Sequence, residues 1–86
     1  MEKVRVLIVD DSSFFRNRIR QELERTGEVQ VAGEAANGAE AVRLAASLRP
    51  DLITMDVAMP VMDGISAVRE IMREHPTDIV MFSALT

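Results

Sequence analysis

Four short runs of apolar and β-branched residues alternate along this chain with three segments of helical periodicity. The runs are VRVLIV (4–9), VQVAGEA (29–35), DLITMD (51–56) and DIVMFSALT (78–86). The first run is almost wholly apolar, which is typical of a strand covered on both faces of its sheet. Helical crossovers between consecutive strands imply parallel pairing with right-handed connections. The order βαβαβαβ therefore predicts an α/β fold with helices on the faces of a parallel sheet.

The segments between the runs carry helix signals at both ends. Ser12 or Ser13 can cap the first helix and Gly27 can end it, while Asn37 can cap the second and Pro50 forces a break after it. Each helix is expected to bury one apolar stripe. In chain order, the three stripes are Phe15, Ile19, Leu23 and Thr26, then Ala41, Val42, Ala45 and Leu48, then Ile65, Val68, Ile71 and Met72.

Two features of the helical segments fit no apolar stripe. Phe14 and Phe15 are adjacent and cannot both face the core from one helix. Because Phe15 fits the stripe, we expect Phe14 either near the mouth of a site or on a surface that meets a partner. The arginines are scattered along the helical segments and are interpreted as a solvated face.

Composition narrows the class of protein. The 86 residues suffice for one domain, and an apolar share of 48% is that of a globular chain. A net charge of −4, without Tyr or Trp, argues against a nucleic-acid partner, which would need clustered cations and stacking aromatics. No segment approaches the ~20 apolar residues of a membrane span, and no signal peptide is visible. Since there is also no cysteine, we expect a cytoplasmic domain without membrane insertion.

Aspartates stand where two of the predicted strands end. Asp10 and Asp11 follow the first strand, and Asp56 ends the third. The carboxyl ends of parallel strands share one edge of the sheet, and sites in open sheets form in the crevice beyond that edge. If the two strands are neighbours, three carboxylates converge there, and a hard divalent cation such as Mg²⁺ relieves their repulsion. One carboxylate can then act as a nucleophile and become an aspartyl phosphate.

Simpler interpretations compete with this one. Asp10 and Asp11 alone would suit the amino terminus of a helix, where acidic side chains are favoured. The presence of Asp56 at a second strand end makes the site interpretation the stronger of the two. Asp63, directly before Gly64, is interpreted as a structural turn residue and not as a metal ligand.

The segments that carry these aspartates resemble a known family. VLIVDDSSFFR, DLITMDVAMPVMDG and IVMFSALT are similar to the three signatures of response-regulator receiver domains, and the resemblance covers the whole chain. The residues of these motifs are most similar to those of the receivers of chemotaxis methylesterases (the CheB family), where DDSxFxR, ITMDxxMPxMDG and SxLT are typical. The resemblance implies a flavodoxin-like (CheY-like), doubly wound parallel sheet with strand order 2-1-3-4, in a two-component signalling protein of chemotaxis.

The resemblance also implies roles for the acidic residues. Asp56 would accept a phosphoryl group from a histidine kinase of the chemotaxis type. Asp11 would ligate Mg²⁺ directly and Asp10 would help to hold it, together with Asp56. The backbone carbonyl of Ala58 would be a further metal ligand.

Three more roles are implied around this site. Ser83 would be the switch hydroxyl that turns toward the phosphoryl group, and Pro60 and Gly64 would shape the neighbouring loop. The family's catalytic lysine ends a fifth strand and has no counterpart here, because the only lysine, Lys3, precedes the first strand. We therefore expect residues 1–86 to be a single receiver domain that lacks the last helix, strand and helix.

Two functions remain open at this point. The first is a receiver that regulates the methylesterase output of a parent protein, whose catalytic domain lies outside this chain, so the chain itself is not expected to be an enzyme. The alternative is a receiver-derived fragment that serves in folding, self-association or interaction without phosphotransfer. Because an exposed edge strand recruits other strands, we also expect a homo-oligomer.

Overall fold

The computed structural model describes residues 2–82. Within that range the chain forms the predicted alternation of strands and helices: β1 (Val4–Val9), α1 (Ser13–Glu24), β2 (Val29–Ala35), α2 (Gly38–Leu48), β3 (Leu52–Asp56), α3 (Gly64–Glu74) and β4 (Asp78–Phe82). All strand pairs are parallel, and the strands lie in the order β2-β1-β3-β4. The predicted α/β fold and strand order are therefore confirmed. Ser83, the expected switch hydroxyl, lies outside the described residues.

Each helix begins at a side chain that caps it. Ser12, Asn37 and Asp63 are the N-caps of α1, α2 and α3. In each case a side-chain oxygen accepts a hydrogen bond from the backbone N–H three residues later, at 3.3, 2.8 and 2.8 Å respectively. These bonds satisfy N–H groups that have no partner within the helix. Asp63 therefore has a structural role, as the sequence predicted, although as a helix cap rather than only as a turn residue.

The main hydrophobic core lies between the sheet and the helices α2 and α3. Its buried residues come from β1, β2, β3 and these two helices: Leu7, Val9, Ala35, Ala41, Ala45, Ile53, Met55, Ala67 and Ile71. Val42 and Leu48 pack against this core, so the predicted stripe of α2 is confirmed. Val6 and Ile8 are also fully buried, and they point to the opposite face, where α1 packs on β1 and β2.

The predicted stripe of α1 is correct in part: Ile19 and Leu23 lie on its half-buried face, whereas Phe15 and Thr26 are exposed. None of the α1 residues is fully buried, and 48% of the Phe15 surface is exposed. The half-buried residues of α1 are Arg16, Ile19, Arg20 and Leu23, which follow helical spacing. Two arginines therefore face the sheet edge, where Glu34 of β2 binds both of them. The pattern failed because it scored arginine as a surface residue.

The predicted stripe of α3 is correct in part. Ile71 is buried and Val68 packs against the core, but Ile65 and Met72 are exposed. Ala67 takes the inward position instead and is fully buried. A small residue lets α3 approach α2 and the sheet closely, so the contact face is narrower than the apolar stripe. Within the described part of the chain, no helix has the length and apolar character needed to cross a membrane.

Candidate functional site

The sheet register brings the three predicted aspartates together. Val9 of β1 pairs with Met55 of β3, so Asp10 and Asp56 follow at neighbouring positions beyond the pair. One carboxylate oxygen from each of Asp10, Asp11 and Asp56 lies within 4.8 Å of the other two. Asp10 and Asp56 are only 5% and 7% exposed, whereas Asp11 is exposed. We call these three residues the acidic cluster.

Asp10 is held by three hydrogen bonds, one at its backbone N–H, one at its backbone carbonyl and one at Oδ1. Its backbone N–H donates to the carbonyl of Ala35 at 3.0 Å, which extends the ladder between β1 and β2. Its Oδ1 accepts a hydrogen bond from the backbone N–H of Ser12 at 2.9 Å. Its backbone carbonyl accepts one from the Arg16 guanidinium at 2.7 Å. Asp10 therefore has a fixed orientation at the base of the cluster.

The environment of Asp56 disfavours its charged form. Burial raises the pKa of Asp56 above its usual range, and the negative charges of Asp10 and Asp11 raise it further. Hydrogen bonds from the backbone N–H groups of Ala58 and Val57 offset part of this rise in pKa. A cation bound between the three carboxylates would remove the repulsion and favour the ionised form.

The loop after β3 closes beside the cluster. The backbone N–H of Gly64 donates to the carbonyl of Val57 at 2.8 Å, and that of Met62 donates to the carbonyl of Pro60 at 2.7 Å. Between these, Val61 has a φ of 68°, a left-handed conformation that is uncommon for a β-branched residue. Pro60 and Gly64 each take part in one of these two hydrogen bonds.

A cleft of about 280 Å³ opens above the acidic cluster. The three aspartates and four further residues line it: Ser12, Phe15, Ile19 and Phe82. The phenylalanine at the mouth is therefore Phe15 and not Phe14, which is exposed and packs its ring edge-on against Phe15 with a centroid distance of 5.5 Å. Phe82 was not predicted, although its place as the last described residue of β4, paired with Asp56, follows from the parallel register.

Arg16 is a second feature that the sequence reasoning missed. The scattered arginines predict a solvated face, but the Arg16 side chain is only 18% exposed and bridges two elements. One nitrogen binds the carbonyl of Asp10, and Nε binds Oε1 of Glu34 at 3.0 Å. Its position five residues after Asp11, in the motif DDSSFFR, is the only signal in the sequence.

Lys3 is far from the acidic cluster along β1. It lines a cavity at the amino-terminal edge of the sheet, together with Arg5 and Asp51. Asp51 is already used there, because its Oδ2 accepts a hydrogen bond from the backbone N–H of Arg5 at 2.8 Å. Among the described residues, no lysine reaches the cleft.

The donor set of the acidic cluster fits a hard divalent cation. All three side chains offer carboxylate oxygens, which Mg²⁺ prefers over nitrogen or sulfur ligands. Their combined negative charge is not matched by an ion pair to any of the three carboxylates among residues 2–82. The pKa of Asp56 is raised first by burial and then by the uncompensated charges of Asp10 and Asp11.

The sequence matches a known family over nearly its whole length. Residues 6–86 match the family model of the response regulator receiver domain. The protein-glutamate methylesterase/protein-glutamine glutaminase of Pseudoalteromonas translucida (strain TAC 125) is 65% identical over 83 residues, which are 96% of this chain and 21% of that protein. A protein of the same name in Alkalilimnicola ehrlichii is 63% identical over 84 residues, which are 98% of this chain and 22% of the relative. The chain thus spans about a fifth of the length of the curated relatives it matches.

Solved structures agree with the sequence match. The response regulator domain of Thermotoga maritima CheB is 44% identical, with a TM-score of 0.95 over 99% of this chain and 63% of that one. A CheX-CheY-BeF3-Mg complex from Borrelia burgdorferi contains a chain that is 33% identical, with a TM-score of 0.88 over 98% of this chain and 64% of that one. At these identities the likeness extends beyond the general shape of the fold.

Proposed function

This chain belongs to the response regulator receiver domain family, in its chemotaxis methylesterase (CheB) branch, and on that premise we propose that it receives a phosphoryl group on the carboxylate of Asp56. The observation that carries the proposal is the convergence of Asp10, Asp11 and Asp56 within 4.8 Å in one cleft. Asp56 is the member of the cluster that ends a strand inside the described sheet, and its side chain is buried beside Asp10. Its place at the end of β3 fixes where the carboxylate enters the cleft.

Mg²⁺ is the proposed cofactor of this site. Asp10, Asp11 and Asp56 would hold it, with the backbone carbonyl of Ala58 as a further ligand. When bound, it supplies positive charge that balances the carboxylates and the phosphoryl oxygens. The Borrelia burgdorferi relative, described with BeF3 and Mg²⁺, supports this choice of ion.

The proposed step is an in-line displacement at phosphorus. An Oδ atom of Asp56 forms a bond to phosphorus while the bond from phosphorus to the donor's imidazole nitrogen breaks, and that electron pair stays on the imidazole. Ser83 is proposed as the switch hydroxyl that binds the phosphoryl group afterwards, and Pro60 and Gly64 as the residues that shape the loop.

The wider setting is inferred from the relatives. We propose that the phosphoryl donor is a histidine kinase of the chemotaxis type in the cytoplasm, and that this single receiver domain regulates a methylesterase domain in a longer parent protein. The curated relatives are proteins four to five times longer than the matched region, and they are named as methylesterases, which supports this setting. The alternative of an interaction fragment without phosphotransfer has no support in the comparisons.

Intact-mass spectrometry with a small-molecule phosphodonor and Mg²⁺ tests the proposal. We expect the wild-type chain to gain about 80 Da, and Asp56→Asn to gain nothing. Asp63→Asn is the matched control, because Asp63 caps α3 outside the cluster and should still allow the adduct to form. An adduct that persists in Asp56→Asn, or none in the wild type, would contradict the proposed function.

Self-association is a separate proposal on partners. Val80 and Met81 of β4 expose apolar surface at the edge of the described sheet, and such an edge can pair with a second copy. Light scattering should then give a mass above the 9.5 kDa of one chain. A single species at the monomer mass over a wide concentration range would refute it.

A further inference from the structure

We propose that Arg16 is a positioning residue for the acidic cluster, acting through the backbone rather than through any carboxylate. Its guanidinium donates to the carbonyl oxygen of Asp10 at 2.7 Å. That carbonyl belongs to the peptide group that joins Asp10 to Asp11. Arg16 therefore fixes the plane that sets the directions of two neighbouring carboxylates. The inference rests on the proposed function, since positioning matters only if the cluster binds a cation.

The contact with Asp10 is strong and sheltered. A hydrogen bond from a charged guanidinium is stronger than one between neutral groups, and 2.7 Å is at the short end of its range. The Arg16 side chain is 18% exposed and Asp10 is 5% exposed, so little water competes for the carbonyl. The other side of Asp10 is bound as well, because its N–H donates to Ala35. Together these bonds hold the peptide groups on both sides of Asp10.

Glu34 in turn holds Arg16 in place. Nε of Arg16 donates to Oε1 of Glu34 at 3.0 Å, while Arg20 donates twice to Oε2, at 2.9 and 2.6 Å. Burial by itself would raise the pKa of Glu34, but hydrogen bonds and charges of Arg20 and Arg16 outweigh burial and lower it. Glu34 is therefore a charged acceptor at neutral pH, and its two carboxylate oxygens bind Arg16 and Arg20.

This arrangement also keeps the Arg16 charge away from the cluster carboxylates. Among residues 2–82, the ion pair of Arg16 is with Glu34 and not with Asp10, Asp11 or Asp56. An arginine paired with those carboxylates would compete with a divalent cation for the same oxygens. Bound as it is, Arg16 orders the backbone of the site and leaves the carboxylate oxygens available. Loss of a group that orients a metal ligand typically lowers metal affinity about 10–100-fold.

Mg²⁺ titration by calorimetry, on the full chain, tests the proposal with three variants. Arg16→Gln should weaken Mg²⁺ binding by about tenfold, the lower end for loss of an outer-shell partner. Arg16→Lys should retain most of the affinity, because an ammonium can still donate to the Asp10 carbonyl. Arg20→Gln is the matched control: it removes a partner of the same Glu34 but no bond to the cluster, so it should leave the affinity unchanged.

A second measurement needs no metal. The backbone N–H of Ser12 donates to Oδ1 of Asp10, so its hydrogen exchange reports the order of this turn. We expect faster exchange at Ser12 in Arg16→Gln and no change in Arg20→Gln, with circular dichroism showing that both variants are folded. Equal effects of the two variants on both readouts would mean a general loss of stability and would overturn the proposal.

The two readouts separate this inference from the proposed function. If the wild-type chain fails to bind Mg²⁺, the metal part of the proposed function is wrong, and Ser12 exchange still decides the role of Arg16. Faster exchange confined to Arg16→Gln supports backbone positioning in that case. Unchanged exchange in Arg16→Gln refutes it, whatever the wild-type affinity.

Discussion

A β-carbon on Gly64 would overlap the backbone carbonyl oxygen of Asp56, because α3 begins directly against the end of β3. The two residues are separated by a loop of seven residues, yet only a hydrogen at Cα fits between them. The close approach also allows the bond from the Gly64 N–H to the carbonyl of Val57. Gly64 therefore determines how near the amino end of α3 can lie to the acidic cluster.

The first prediction concerns this contact. Gly64→Ala should lower the free energy of unfolding by about 1–3 kcal/mol, since the backbone on either side must move to admit a methyl group. It should also impair phosphorylation of Asp56. Gly33→Ala is the control, because a β-carbon there meets the flexible end of Leu48, which can turn aside. Urea unfolding of both variants measures the difference, and equal losses would refute the specific role of Gly64.

The second prediction concerns the charge on Asp56. Its pKa is raised, so in the folded chain ionisation is less favourable than in the unfolded chain, and the penalty is fully present at neutral pH. Without metal, Asp56→Asn should therefore raise the free energy of unfolding at pH 7 by about 1 kcal/mol. The gain should shrink as the pH falls through the raised pKa of the folded chain. It should vanish below the pKa of Asp56 in the unfolded chain, because the wild-type carboxyl is then protonated in both states.

Urea unfolding across this pH range, with chelator present, provides the measurement. Asp78→Asn changes an exposed aspartate of β4 and serves as the control, with no stabilisation expected at either pH. A gain in Asp56→Asn that is the same at neutral and acidic pH would show that ionisation of Asp56 is not its cause. Added Mg²⁺ should reduce the gain, because the cation stabilises only the wild-type carboxylate.

The third prediction concerns Glu34. Its pKa is lowered in the folded chain, so its stabilising effect is present above the unfolded value of about 4.3 and is lost as the pH falls through the folded value. Glu34→Gln should lower the free energy of unfolding at pH 7 by about 1 kcal/mol, discounted for partial exposure. Glu24→Gln, which removes a longer and more exposed pair to Arg20 at 3.6 Å, should have less effect. The free energies of unfolding of the wild type and Glu34→Gln should become equal in acid. A difference that is constant with pH would contradict a stabilising role for the ion pairs of Glu34 with Arg16 and Arg20.

The fourth prediction concerns strain at Val61. This residue is 84% exposed and has a φ of 68°, where a β-branched side chain clashes with its own backbone. Val61→Asn should raise the free energy of unfolding by about 1 kcal/mol, because asparagine tolerates the left-handed region. Val61→Ile keeps the branched β-carbon and should give no gain. Thermal or urea unfolding of the two variants measures the difference. Similar stabilities for Val61→Asn and Val61→Ile would argue against backbone strain at Val61.

Much of the fold and of the acidic cluster could be predicted because both depend on local periodicity and on one geometric rule. Apolar runs and helix caps such as Ser12 and Asn37 act within a few residues of themselves, so the chain order βαβαβαβ can be read directly. Parallel strands then place Asp10, Asp11 and Asp56 at one edge, whatever the details of packing. The convergence of the three carboxylates needs one thing more, that β1 and β3 are neighbours, which the family resemblance implies and the sheet pairing shows.

The orientation of α1 could not be predicted in the same way. Which side of a helix is buried depends on its rotation against the sheet, and here the inward side carries Arg16, which binds Glu34, eighteen residues away in the chain. The hydrophobic pattern favoured Phe15 as a core residue. An arginine can face inward instead when a carboxylate on a neighbouring strand binds it, as Glu34 binds Arg16. As a result Phe15 turns toward the cleft.

The sequence by itself therefore determined the class of fold, the order of its elements and the aspartates of its site, because these depend on residue type and on position along each strand. Only the tertiary structure decided that Arg16 binds the Asp10 carbonyl, that Phe15 and Phe82 line the cleft, and that Gly64 touches Asp56. These contacts join elements that are distant in the chain, and their energies depend on distances that no local pattern encodes.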